Sequence, residues 1–403
     1  MGIATVPVML RRTYNHPLWR FLLGFFFQTV PGAVLTPLLT LGLAARGVEA
    51  WLIGGLISAG SLAYMLALPA APALIRRFGE QRVFRAALAL GTLAVAGLAL
   101  ITTPAMLVLL FALAGFTAGL RFTLAESWVP VMAPAAARGR AMALFQTSVG
   151  AALFAGAGSL LLTGVHGAAP RSVVLATALI GLVLLWPLSA PARPPTNSTH
   201  SPPADAGLRG VLVQVGMLVL GAALLGGLFE SGLSVALPLY GLATGLGSSV
   251  AVGVVTAMGL GSLLQYPYGA LADRFPWRSV ALGTTAVIVA STLLLLAVPA
   301  APWLLLPLGV VWGSAGGGLY TLATIRNGAQ WRGERLIAAS VVTQFAYMVG
   351  DASGPAMGGL VLDLAPGFGL PALVIGAGLA GLALIAATGD EARQAARPLP
   401  ADG

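Results

Sequence analysis

Long apolar stretches, interrupted at intervals by short clusters of arginine, proline and small polar residues, run through the whole chain. A hydrocarbon layer about 30 Å thick is crossed by roughly 20 apolar residues in a helix. Reading between the breaks predicts twelve such helices, near 20–43, 51–75, 83–102, 105–128, 140–164, 171–190, 210–240, 248–271, 279–299, 302–325, 335–363 and 370–388. They are numbered spans 1 to 12. Span 1 lacks the short core and cleavage site of a signal peptide, and Arg11, Arg12 and Arg20 precede it, so it reads as a retained span. The pattern predicts an all-α polytopic membrane protein.

Composition agrees and removes several chemistries. Apolar residues make up 58% of the 403 positions and charged residues 8%, against roughly 25% charged in a soluble domain. The 21 basic residues are all arginine, and the chain contains no lysine and no cysteine. Without lysine there is no P-loop and no Schiff-base chemistry. Without cysteine there is no disulfide framework, thiolate metal site or cysteine nucleophile. No cofactor or metal is expected, and the chain does not read as an enzyme. The net charge of +9 does not indicate nucleic acid, because the arginines are not gathered on one polar face.

Their positions indicate orientation instead. With both termini in the cytoplasm, eighteen of the 21 arginines fall at or beyond the inner interface, only Arg46 and Arg171 fall outside, and Arg121 lies inside span 4. That asymmetry is the positive-inside pattern, and the expected location is a bacterial inner membrane. Trp19, Trp128, Trp277 and Trp331 at inner span ends, with Trp51 and Trp303 at outer ones, read as interfacial anchors.

One long polar, proline-rich segment, Pro191–Gly207, divides the chain into six spans and six spans. The expected organisation is an N-terminal half (1–190), a cytoplasmic linker (191–208) and a C-terminal half (209–403). The halves echo each other at an offset of about 200: GAVLTPLL (Gly32–Leu39) matches GLSVALPLY (Gly232–Tyr240), and IRRFGEQRV (Ile75–Val83) matches ADRFPWRSV (Ala272–Val280). Both halves start in the cytoplasm, so the repeat is parallel, a pseudo-two-fold about the membrane normal. Secondary transporters built this way bind substrate near the midplane between the halves.

GALADRFPWR (Gly269–Arg278) resembles the G-x-L-A-D-R-x-G-R-R signature of the major facilitator superfamily. AESW (Ala125–Trp128), RGRAMALF (Arg138–Phe145), QYPYGALADR (Gln265–Arg274), GLYTLA (Gly318–Ala323) and the segment Ala338–Asp363 resemble its YcaD-like bacterial branch. The resemblance covers almost the whole chain. It implies a twelve-helix facilitator fold, alternating access, and a breakable cytoplasmic latch using Asp273 with Arg274 and Arg278. Two positions depart from the signature. Arg76 stands where Asp273 stands in the second half, so an N-terminal latch would need Glu126 through Arg76, Arg77 or Arg82. Pro276 replaces the signature's second glycine, so the turn there must differ.

Two strings are decoys. VIGAGLAG (Val374–Gly381) spells a dinucleotide fingerprint, but it lies in an apolar span without the preceding strand that motif requires; it reads as helix packing. DASG (Asp351–Gly354) resembles a protease serine motif. A serine nucleophile needs a base within reach, and His16, His166 and His200 all lie outside membrane depth. GDASGPAMGG (Gly350–Gly359) instead resembles a facilitator-antiporter signature, with Pro355 breaking one ladder bond and bending the helix.

Ionisable groups at membrane depth cost about 2.5–3.5 kcal/mol on insertion scales and are functional candidates by default. They are Arg121 and Glu126 in span 4, Glu230 in span 7 and Asp351 in span 11. Glu230 and Asp351 are assigned to proton coupling. Arg121 could hold an anionic substrate or pair with an acid of the other half, and Glu126 goes with the cytoplasmic gate. Phe26, Phe27, Gln28, Gln146, Gln265, Trp312, Tyr320, Gln344 and Tyr347 are the uncharged candidates for lining the substrate path. The expected function is proton-coupled export of a small amphipathic organic solute by a monomer in the lipid bilayer. Uptake of an organic anion is the alternative. An intramembrane enzyme would need clustered Asp, His or Lys at one interface, and a sensor would need a signalling domain; the sequence offers neither.

Overall fold

The computed structural model describes residues 16–101, 103–134, 137–191, 215–264, 266–298, 301–331 and 333–387. Every regular element among them is a helix, and helices lie at all twelve predicted stretches. They are α1 (His16–Ala44), α2 (Ala50–Phe78), α3 (Glu80–Leu100), α4 (Pro104–Met132), α5 (Arg138–Thr163) and α6 (Ala169–Leu185). After residues 192–214, which hold most of the expected linker and lie outside the described residues, come α7 (Met217–Ala243), α8 (Ser248–Leu263), α9 (Tyr266–Arg274), α10 (Trp277–Ala297), α11 (Pro302–Gln330), α12 (Gly333–Leu364) and α13 (Gly369–Ala387). Among the described residues nine helices are long and apolar enough to cross a membrane, ten if the bent pair α8 and α9 is one span.

Span 8, predicted as one helix, is two segments whose axes differ by 42°, with Pro267 opening the second. Proline has no N–H to give and excludes the ordinary turn before it. Elsewhere prolines lie inside unbroken helices: Pro31 and Pro37 in α1, Pro69 and Pro72 in α2, Pro355 in α12. Neighbouring helices tolerate the lost bonds in such settings. In α7 the residues Leu228–Gly232 form a π-turn, in which the Leu233 amide reaches back five residues to the Leu228 carbonyl. Such turns carry one residue more than the α-helix would.

Two apolar cores hold the two ends of the chain. In the first half Phe21, Phe25, Phe84, Phe122, Phe145 and Trp128 form a ring cluster, with Phe84 and Trp128 centroids 4.7 Å apart. Trp128 is therefore not an interfacial anchor. It is fully buried, and its indole N–H donates to Glu80 Oε2 at 2.8 Å. Trp19, Trp51 and Trp303 are exposed, as anchors should be. In the second half Phe229, Tyr240 and Trp312 centre the core.

The halves meet where α2 packs on α12, α5 on α8, and the later part of α7 on α1. Small residues allow backbone to approach backbone there. A Cβ on Gly54 would run into the Pro355 carbonyl, and one on Gly359 into the Ala50 carbonyl. Within the second half α7 and α12 touch at both ends of the π-turn: Gly227 lies against the Tyr347 carbonyl and Gly232 against Gly354 Cα. The two decoy strings are packing surfaces: Gly378 and Gly381 of α13 meet Val289 and Leu225.

Candidate functional site

The π-turn places Glu230 and Ser231 on consecutive positions facing α12. The Tyr347 hydroxyl donates to Glu230 Oε2 at 3.1 Å and lies 3.0 Å from Ser231 Oγ. Ser262 of α8 lies close to Glu230, and Asp351, one helical turn beyond Tyr347, lies close to Ser231 and to Ser61 of α2. Gly316 of α11 brings a bare backbone against Glu230, where a side chain would collide with its Cα and Cβ.

Aromatic groups enclose this chain of contacts. Tyr320 and Tyr347 rings lie 4.7 Å apart, tilted by 54°. Tyr64 of α2 accepts from the Gln344 amide at 3.4 Å across the seam between the halves. Glu126 lies within electrostatic reach of Tyr64 and Tyr320. Glu126, Glu230, Asp351, Tyr64, Tyr320, Gln344 and Tyr347 are all half-buried, as expected of groups lining a narrow space between helices. The cluster draws on α2 and α4 from one half and α7, α8, α11 and α12 from the other.

Three sequence candidates point elsewhere. Arg121 is buried within the first half, where its guanidinium donates to Gln28 Oε1 at 2.5 Å and the Thr117 carbonyl at 3.3 Å, packed against Gly91 of α3. Gln28 is the other half of that lock and donates in turn to the Ala178 carbonyl of α6 at 2.8 Å. Together they tie α1, α3, α4 and α6. Trp312 is fully buried in the second-half core, its indole donating to Ser291 at 3.2 Å.

Phe27 is half-buried with its ring edge-on to Phe26, and Gln146 is exposed on α5. Gln265 lies outside the described residues. Among the gate candidates, Arg76, Arg77, Asp273 and Arg274 are exposed, and Arg77 lies over the Phe78 ring. Arg278 is turned to the end of α13, donating to the Ile385 carbonyl at 2.9 Å and to Ala386. Glu126 is half-buried within electrostatic reach of Tyr64 and Tyr320, whereas Arg76 and Arg77 are exposed.

Sequence reasoning missed Ser61, Tyr64, Ser231 and Ser262. The signal was present in α2, where Gly54, Ser58, Ser61 and Tyr64 (spacings of four, three and three) mark one face of an otherwise apolar helix. It also missed Asp363. At the end of the bundle away from the arginine-rich loops, this carboxylate of α12 accepts the Ala50 and Trp51 amides at 3.0 and 2.8 Å, capping α2 across the seam. With the Gly54 and Gly359 contacts beside it, α2 and α12 are packed backbone to backbone there, beside a cavity of about 660 Å³ that Ala50 and Asp363 help to line.

Comparison with known proteins fits this arrangement. A Salmonella enteritidis PT4 protein described as "Uncharacterized MFS-type transporter YcaD" is 24% identical over 354 residues, covering 87% of this chain and 90% of its own. A mutant of the nucleoside transporter NupG shares the fold with a TM-score of 0.71 at 14% identity, over 93% of this chain and all of that one. A D-xylose-proton symporter does so with a TM-score of 0.68 at 16% identity, over 91% and 96%. The sequence profile of the Major Facilitator Superfamily matches residues 21–264, more than half of the chain, and the chain belongs to that superfamily.

Proposed function

We propose that the chain is a secondary active transporter that exports a small amphipathic organic solute in exchange for protons, by alternating access of the halves 1–190 and 209–403. It works as a monomer in the bacterial inner membrane with both termini in the cytoplasm. The observation that carries the reading is the Tyr347 hydroxyl, bonded both to Glu230 and to Ser231, with Asp351 close beside Ser231. A tyrosine hydroxyl has one hydrogen, and so has a serine hydroxyl. With Tyr347 donating to Glu230, Ser231 donates to Tyr347, which leaves the Ser231 oxygen free to accept from a protonated Asp351. Ionising Asp351 turns Ser231 round to donate to it. The two acids thus form one unit that passes a proton along fixed hydroxyls, and the tyrosines beside it offer faces for an organic solute.

Ser61 of the opposite half lies close to Asp351, so a proton gained or lost there acts where the halves must part as they rock. The close α2–α12 contact at the end opposite the basic loops favours entry from the cytoplasmic side, which suits export. Uptake of an organic anion required Arg121 in the path, and its engagement with Gln28 removes that support.

The test starts from the solute that most raises the melting temperature of the purified protein in a screen of metabolites and drugs. In inverted vesicles an imposed proton gradient should drive its accumulation. Glu230→Gln and Tyr347→Phe should abolish driven accumulation while leaving solute exchange. Driven accumulation that survives both changes refutes the relay, and accumulation only in right-side-out vesicles refutes export.

A further inference from the structure

The two arginines that break the positive-inside pattern, Arg46 and Arg171, come together. Arg46 follows α1, Arg171 lies in the first turn of α6, and both line a single cavity of about 240 Å³ with His166. His166 is held between two glycines in the left-handed region, Gly164 at φ 74° and Gly167 at φ 82°, so the turn that presents it is specified by sequence. All three basic side chains are exposed at the rim. Among the described residues no carboxylate lines this cavity. Glu49, the acid nearest in sequence, lines the adjoining one and accepts the Trp51 indole N–H at 2.6 Å.

The floor has the opposite character. Leu98 and Leu107, 3% and 1% exposed, close it from below as part of the first-half core. Beside it, exposed Leu100, Met106 and Leu109 run along the helix surfaces. Two guanidinium forks and an imidazole around an apolar well match an anionic oxygen group joined to hydrocarbon. Guanidinium pairs phosphate in a bidentate fashion, and basic pockets between membrane helices suit anionic lipid headgroups. The volume corresponds to roughly eight waters, room for a headgroup but not for a whole lipid, whose chains would lie on the exposed leucines.

We propose that this pocket holds the phosphate headgroup of an anionic phospholipid, bound by Arg46, Arg171 and His166. The full-length protein would be taken from vesicles of phosphatidylcholine mixed with phosphatidylglycerol and its retained lipids counted by native mass spectrometry. The Arg46→Gln/Arg171→Gln variant should retain one phosphatidylglycerol fewer than the wild type, and Arg46→Lys/Arg171→Lys should restore it in part. Equal retention by wild type and the glutamine variant overturns the proposal. A melting temperature raised by inorganic phosphate in pure phosphatidylcholine, and lost in the glutamine variant, also overturns it, because the site would then take a free anion. On the wild type alone, a photoactivatable phosphatidylglycerol should crosslink near Leu98–Leu107 or Arg171. Crosslinks confined to the arginine-rich end exclude the site even if the variants do not fold.

Discussion

Removing the Asp363 carboxylate should loosen the α2–α12 contact by a measurable amount. Asp363 accepts two amides from the first turn of α2, at 3.0 and 2.8 Å. A side-chain cap at a helix N-terminus is worth about 0.5–2 kcal/mol, and a negative charge there adds about 0.3–1 kcal/mol through the helix dipole. The contact is exposed to solvent, so the lower part of the combined range applies, about 1 kcal/mol. If the contact exists only while that end is closed, Asp363→Ala shifts the balance between closed and open by about fivefold. Ser58 provides the reporter: it is 5% exposed, one helical turn below Gly54 on α2. Because the chain has no cysteine, a Ser58→Cys substitution supplies the only thiol. Its rate of labelling by a membrane-impermeant maleimide, added to right-side-out vesicles, follows the open fraction. The rate should rise about fivefold with Asp363→Ala and by less with Asp363→Asn, which keeps one acceptor. Equal rates in all three backgrounds, or an equal rise on changing Glu49 instead, would refute the latch.

Two further outcomes follow from the packing. Gly54→Leu forces a side chain into the Pro355 carbonyl, where neither backbone can yield; closure should cost about 1–3 kcal/mol, read as faster Ser58→Cys labelling with loss of transport, and normal transport would count against the contact. Arg121→Gln removes buried bonds to Gln28 and Thr117, so stability should drop by about 1.5–3 kcal/mol, seen as a lower melting temperature with solute affinity unchanged. Lost affinity at an unchanged melting temperature would return Arg121 to the substrate path.

Helix positions were legible because membrane thickness imposes a length and lipid imposes an apolar surface, and both leave a direct mark on sequence. The marks fade where function intrudes. α12 carries Asp351 and Asp363 and falls outside the set of helices that pass on length and apolarity, though it is continuous over 32 residues. The acids of the site were legible, since a carboxylate at membrane depth is conspicuous. Which way a side chain turns was not. Arg121 and Glu126 share one helix and both come within electrostatic reach of Tyr64, yet nothing local says that the Arg121 guanidinium is bound to Gln28. Trp128 had the composition of an interfacial anchor, and only the position of Glu80 on α3 shows that its indole is turned inward. The serines and Tyr64 escaped because a hydroxyl in an apolar helix can satisfy itself on its own backbone, and most here do, as Thr284 and Thr292 show.

The π-turn of α7 has a consequence for the geometry of the whole helix. Gly227 and Gly232 both face α12, but residues five apart on a regular α-helix diverge by roughly 140°. The extra residue absorbs that divergence, so the segments on either side of it are phased separately against their neighbours. Deleting one residue from Leu228–Gly232 would rotate everything from Leu233 to Ala243 by roughly 100° against the first half of the helix. The face that now packs on α1 would be carried away from it. α7 thus behaves as two helices joined at a fixed angular offset, and Glu230 and Ser231 occupy the joint.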